Sequence, residues 1–168
     1  MKILINLRSL LLLFTPVMAI GSCILWAWYQ PLFSWLHHPS QYPWELWGAI
    51  AAATVAVTGG LADWRYHRQG KRQISAIERR YEALALVGGV PLFLLMSAAT
   101  LSPEPSQFLI PVMVTVLYMT VLICYDEFIF HRGCKPFETL LHRMLVFGNG
   151  VAWLAWAHWC FVRGGAYA

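Results

Sequence analysis

Five long apolar runs limit what this chain can become. They span roughly residues 9–29, 45–62, 83–101, 108–125 and 143–162, and apart from Glu45 and Arg143 at two of their edges none holds Asp, Glu, Lys or Arg. A helix that crosses a bilayer needs about 20 predominantly apolar residues, and each run is close to that length. The whole chain is 59% hydrophobic and 12% charged, whereas ordinary globular domains carry roughly 25% charge. No soluble core of this size hides so much apolar surface. The expected fold is an all-α integral membrane protein with five transmembrane helices, in a single polytopic domain over residues 1–168. Helices 2–5 are expected to form a four-helix bundle.

The first run has a second reading. Lys2 and Arg8 precede LLLLFTPVMA, as the charged and apolar regions of a signal peptide would. Residues 20–23, IGSC, resemble a loose lipoprotein cleavage box that would make Cys23 a lipidated terminus. The chain after Cys23, CILWAWYQPLF, stays apolar, which favours a retained helix over cleavage of residues 1–22. Both readings bring the chain out on the same side.

Basic residues set the orientation, because cytoplasmic loops carry the excess of Lys and Arg. Loops 30–44 and 101–107 contain neither. Lys2, Arg8, Arg65, Arg68, Lys71, Arg72, Arg79, Arg80, Arg132, Lys135 and Arg143 all fall on the opposite side, and Arg163 is the exception. The prediction is a multi-pass protein of the inner (plasma) membrane, N-terminus cytoplasmic and C-terminus outside. The basic balance is accounted for by this asymmetry and by anionic lipid, without nucleic acid. Trp26, Trp28, Trp35, Trp44, Trp47 and Trp159 gather at the outer interface as an aromatic belt. Cys23 and Cys160 lie toward the outside and would pair if adjacent. Cys124 and Cys134 lie inside, with no CxxC spacing, and are expected to pack as thiols.

Acidic residues and histidines crowd the inner edge. Asp63, Glu78, Glu82, Asp126, Glu127 and Glu138 sit there with His67, His131 and His142, leaving Glu45 and Glu104 outside. Residues four apart share a helix face. Asp63 and His67, Glu78 and Glu82, Glu127 and His131, and Glu138 and His142 all have that spacing. Four helices would thus each bring a pair to one depth. Carboxylate and imidazole ligands projecting into a four-helix core resemble, in ligand type only, those of soluble di-iron bundles, and they suit iron, manganese or zinc. The expected ligands to two metal ions are Asp63, His67, Glu82, Glu127, His131, Glu138 and His142. Glu78 and Asp126 are weaker members, Asp126 because five residues separate it from His131. Asn149, Thr120 and Cys124 lie above these groups and are expected to line a cavity, while Gly59, Gly60 and Gly89 let the helices approach.

The chemistry expected of such a centre is oxidation of a lipid, quinone or other apolar substrate by a non-haem di-iron oxidoreductase, with electrons from a donor protein. The histidine boxes HxxxH and HxxHH of membrane hydroxylases and desaturases are absent, so the likeness is one of chemistry. The alternative is an accessory or assembly subunit whose acids form salt bridges with Arg65, Arg68, Arg79, Arg80, Arg132 and Arg143, and whose charged edge docks a partner. Metal or proton carriage is less favoured, because only Asn149 and Thr120 continue a polar route. His158, in the outer half of the last run, has no mid-membrane histidine opposite it to share a haem.

Overall fold

The computed structural model describes residues 15, 17–68 and 75–167, except the side chains of Arg68, Ala76, Arg79, Glu82 and Leu86. All regular structure among them is helical. A short apolar helix, α1 (Val17–Trp28), carries the described part of the first expected span. The start of that span, with Lys2 and Arg8, lies outside the described residues. Four further helices follow: α2 (Trp44–Arg68), α3 (Ala76–Leu101), α4 (Leu109–Ile129) and α5 (Pro136–Ala157). Each belongs to a stretch long and apolar enough to cross a membrane.

The chain divides into two compact units, Met1–Trp44 and Glu45–Ala168. In the first, Pro31 and Pro39 open two 3-10 turns, Pro31–His37 and Pro39–Gln41. Proline suits such a start because its φ is preset and its missing N–H would have no partner there. Aromatic edges hold the turns: Trp28 meets His37 at 4.5 Å and Trp35 meets Tyr42 at 5.9 Å. The Tyr42 hydroxyl donates to the Leu36 carbonyl at 2.7 Å.

In the second unit, α2 and α5 run antiparallel along a seam of small residues. Gly48 lies by Ala155, Ala52 and Ala56 by Gly148, and Gly59 by Leu141, Met144 and Leu145. The seam is tight where the glycines are. A Cβ on Gly148 would stand 2.7 Å from both the Ala52 carbonyl oxygen and the Ala56 nitrogen, and one on Gly59 would stand 2.7 Å from the Met144 Cβ. Lipid tails are as apolar as leucine, so membrane helices associate through such close packing. The α2 stripe, Gly48–Ala52–Ala56–Gly59, continues at helical spacing into Asp63 and His67. Packing therefore aims those two side chains at the start of α5.

Helices α3 and α4 pair similarly. Gly88 faces Tyr118 and Met119 of α4, while its neighbour Gly89, an expected packing position, faces open space. Lower down, Tyr81 and Tyr125 stack at 4.4 Å and 18°. The hydrogen bond with Tyr125 pushes the Tyr81 hydroxyl above the ordinary tyrosine range. A capping box starts α3: Ser75 Oγ accepts from the Glu78 N–H at 3.1 Å, and Glu78 Oε2 accepts from the Ser75 N–H at 3.3 Å. Glu78 thus satisfies backbone donors at the first turn, which is a structural duty. Ser75→Ala should lower stability by about 1 kcal/mol in a detergent unfolding titration followed by tryptophan fluorescence.

At the opposite end, α5 passes into a π-helical turn, His158–Val162. Gly164 and Gly165, with φ of 87° and 67°, then reverse the chain in a conformation open to glycine. The returning segment is pinned by the Tyr167 hydroxyl on the Leu101 carbonyl at 3.1 Å. Beside it the Glu45 carboxylate, 1% exposed, takes His158 Nδ1 at 2.8 Å and Arg163 Nη1 at 3.1 Å. His158, for which the sequence offered no haem partner, is one arm of a clasp on this buried carboxylate.

Candidate metal centre

Three helices bring their ends together at the Asp63 end of α2. One turn apart on α2, Asp63 Oδ1 and His67 Nε2 lie 3.5 Å from each other. His67 Nε2 is also 3.7 Å from Glu138 Oε1, in the first turn of α5. That carboxylate, 2% exposed, lies where the positive end of the helix dipole favours an anion.

Asp126 and Glu127 occupy the last turn of α4, and the chain then bends sharply. The N–H groups of Phe130 and His131 both donate to the Asp126 carbonyl, at 2.9 and 3.3 Å. This curl carries the His131 ring back to its own helix, so that Nδ1 sits 3.2 Å from Asp126 Oδ2. His131 stacks on His142 of α5 at 4.1 Å and 22°. His142 Nε2 in turn lies 3.6 Å from both Asp126 Oδ2 and Glu127 Oε2. The other Glu127 oxygen accepts from Arg143 Nε at 3.4 Å, which fixes the carboxylate with Oε2 toward the histidine.

Residues 126–142 are therefore paired differently from the four-residue rule. Helix α4 ends at Ile129, two residues before His131, so the helical register that would join Glu127 to His131 has ended. Asp126 takes that place and is a central member of the cluster, 6% exposed. Asp126, Glu127, His131 and His142 form one set of contacts, Asp63, His67 and Glu138 form another, and the grouping of His131 with Glu138 links the two. Glu82 is in α3, but its side chain lies outside the described residues. Glu78 caps α3.

Asn149, Thr120 and Cys124, expected to line a cavity, lie elsewhere in the second unit. All three are exposed, and the Asn149 amide donates to the Leu145 carbonyl of its own helix at 3.0 Å. A polar side chain in an apolar setting can satisfy itself on its own backbone one turn back. One residue was missed. Cys134 lies in the same bend, and its thiol groups with His131 and Glu138 so that one ligand atom from each is within 4.8 Å of the others. Asp126, His131 and His142 form a second such group. The three- and seven-residue steps from His131 to Cys134 and Glu138 were the available signal. All four cysteines are free thiols.

The electrostatics of the cluster are unbalanced. Asp63 Oδ1, Asp126 Oδ1, Glu127 Oε2 and His142 Nε2 are buried and make no hydrogen bond. Leaving a buried polar group unsatisfied costs about 1–3 kcal/mol, more for a charged one. Carboxylates crowded together also raise one another's energy unless a cation intervenes. Ligand atoms on one ion with bonds of about 2.0–2.2 Å lie some 3–4 Å apart, and the 3.6 Å separations of His142 Nε2 from Asp126 Oδ2 and Glu127 Oε2 fall in that range. The donor set fits a metal of the iron, manganese or zinc type. No protein family, curated protein or solved structure matches this chain.

Proposed function

We propose that this chain is a membrane-embedded metalloprotein whose four long helices form a bundle with a two-metal centre at its cytoplasmic end. The orientation rests on the one-sided distribution of Lys and Arg, which puts the N-terminus inside and the C-terminus outside the plasma membrane. The carrying observation is the set of buried oxygen and nitrogen atoms on Asp63, Asp126, Glu127 and His142 that make no hydrogen bond. Groups so placed destabilise a metal-free fold and are stabilised by a divalent cation.

Asp63, His67, Asp126, Glu127, His131, Glu138 and His142 would hold the ions, with Glu82 as a further candidate. The reading best matched to this donor set is a non-haem di-iron oxidoreductase acting on a lipid, quinone or other apolar substrate, with a protein electron donor. Iron there would supply oxygen activation. The residues of the chain supply the rest. Asp126 orients His131 through Nδ1, as a carboxylate behind a ligating histidine does. Arg143 fixes the face that Glu127 presents. The α2–α5 seam excludes water above the site.

Metal analysis of the detergent-purified protein tests this reading. The wild type should carry near-stoichiometric iron, manganese or zinc. Glu138→Ala and His142→Ala should each lower the content at least several-fold while remaining folded. A metal-free wild type overturns the proposal and favours a charged edge that docks a partner protein. Full metal in both variants overturns the ligand assignment.

A further inference from the structure

We infer that Cys134 supplies a thiolate ligand, so that the two metal positions are chemically unlike: a sulfur-containing one at His131, Cys134 and Glu138, and an oxygen-rich one at Asp126, Glu127 and His142. The inference rests on the metal centre proposed above and deepens it.

Two ligand groups share His131, and its hydrogen bonding decides which of them it serves. Nδ1 faces Asp126, at 3.2 Å from Oδ2 and 3.4 Å from the carbonyl oxygen. A ring whose Nδ1 is directed at a carboxylate is held in the tautomer that coordinates through Nε2. Asp126 then stands behind His131 through Oδ2, and its buried Oδ1, which makes no hydrogen bond, belongs to the other position. That leaves His131, Cys134 and Glu138 as one nitrogen, one sulfur and one oxygen donor.

Local structure places the thiol for this role. The Cys134 N–H donates to the His131 carbonyl at 3.1 Å, which closes a tight turn with both side chains in one bend. Pro136 then starts α5, and Glu138 follows within its first turn. Three donors of different softness therefore come from eight consecutive residues, 131–138. Thiolate with imidazole and carboxylate favours zinc or another thiophilic divalent ion, whereas carboxylates with one imidazole favour iron or manganese. Cys124, the other thiol on this side of the chain, is exposed on α4 and belongs to neither group.

Cobalt(II) is the probe, because thiolate bound to it gives a charge-transfer absorption in the near ultraviolet. The full chain in detergent, stripped with a chelator and reloaded with cobalt, should show that band. Cys134→Ser should lose it and Cys124→Ser should keep it. Cobalt bound by the wild type without the band overturns the thiolate ligand and leaves the metal centre standing, as does a band unchanged in Cys134→Ser. No cobalt bound by the wild type overturns both. A measurement on wild type alone covers misfolding of the variant: iodoacetamide should modify Cys134 in the stripped protein and not in the zinc-loaded one. Equal modification in the two states overturns the inference.

Discussion

Gly148→Val should drive α5 away from α2 and abolish metal binding at their far end. The added Cβ would meet backbone, at 2.7 Å from the Ala52 oxygen and the Ala56 nitrogen, so no side chain can swing aside to admit it. Overpacking a well-filled core costs about 1–3 kcal/mol, occasionally more, and here the two helices must separate to relieve it. The contact most exposed to that separation is His67 with Glu138, already at 3.7 Å. Gly150→Val is the control, because a Cβ there has open space around it. Thermal unfolding in detergent and metal content, measured on both variants, check the expectation. Equal stability and equal metal in the two would show that the seam does not hold the site.

The second large effect concerns the Glu45 clasp. His158→Ala with Arg163→Ala leaves a carboxylate that is 1% exposed without the two side chains that hold it. Breaking a buried ion pair by removing one side costs about 3–5 kcal/mol. Since His158 and Arg163 are themselves half exposed, the lower part of that range is expected. Adding Glu45→Gln should recover much of the loss, because it removes the stranded charge while keeping the shape. Unfolding by detergent titration would separate the cases. A triple variant no more stable than the double would mean that the clasp acts through packing and not through charge.

Sequence patterning carried the all-helical class and the approximate places of α2 to α5 as helices long and apolar enough to cross a membrane, because long uncharged runs have few physical alternatives. It also carried the gathering of the polar residues at one end of α2, α4 and α5. Asp63 and His67, and likewise Glu138 and His142, lie within helices that outrun the apolar stretches, as their four-residue spacing required. Pattern failed where the helix stopped. With α4 ending at Ile129, periodicity no longer described His131, so Asp126 and Cys134 were undervalued. A seven-residue step also drifts by about 20° on a straight helix, and Asn149 and Thr120 are on exposed faces. The Glu45 clasp was beyond any local pattern. Glu45 is more than a hundred residues from His158 and Arg163, and only the seam that brings both ends of α2 and α5 together reveals the contact.

The sharp bend between α4 and α5 also bears on the order of assembly. Asp126, Glu127, His131, Cys134, Glu138 and His142 come from one short segment of the chain, so bringing them together closes only small loops and loses little chain entropy. Contacts this local form early once both flanking helices exist. Asp63 and His67 are synthesised before any of them and wait on α2 for partners that arrive with the last hairpin. The nascent protein therefore holds most of this polar cluster in a late, self-contained unit, and docking of that unit on α2 is the step that encloses it.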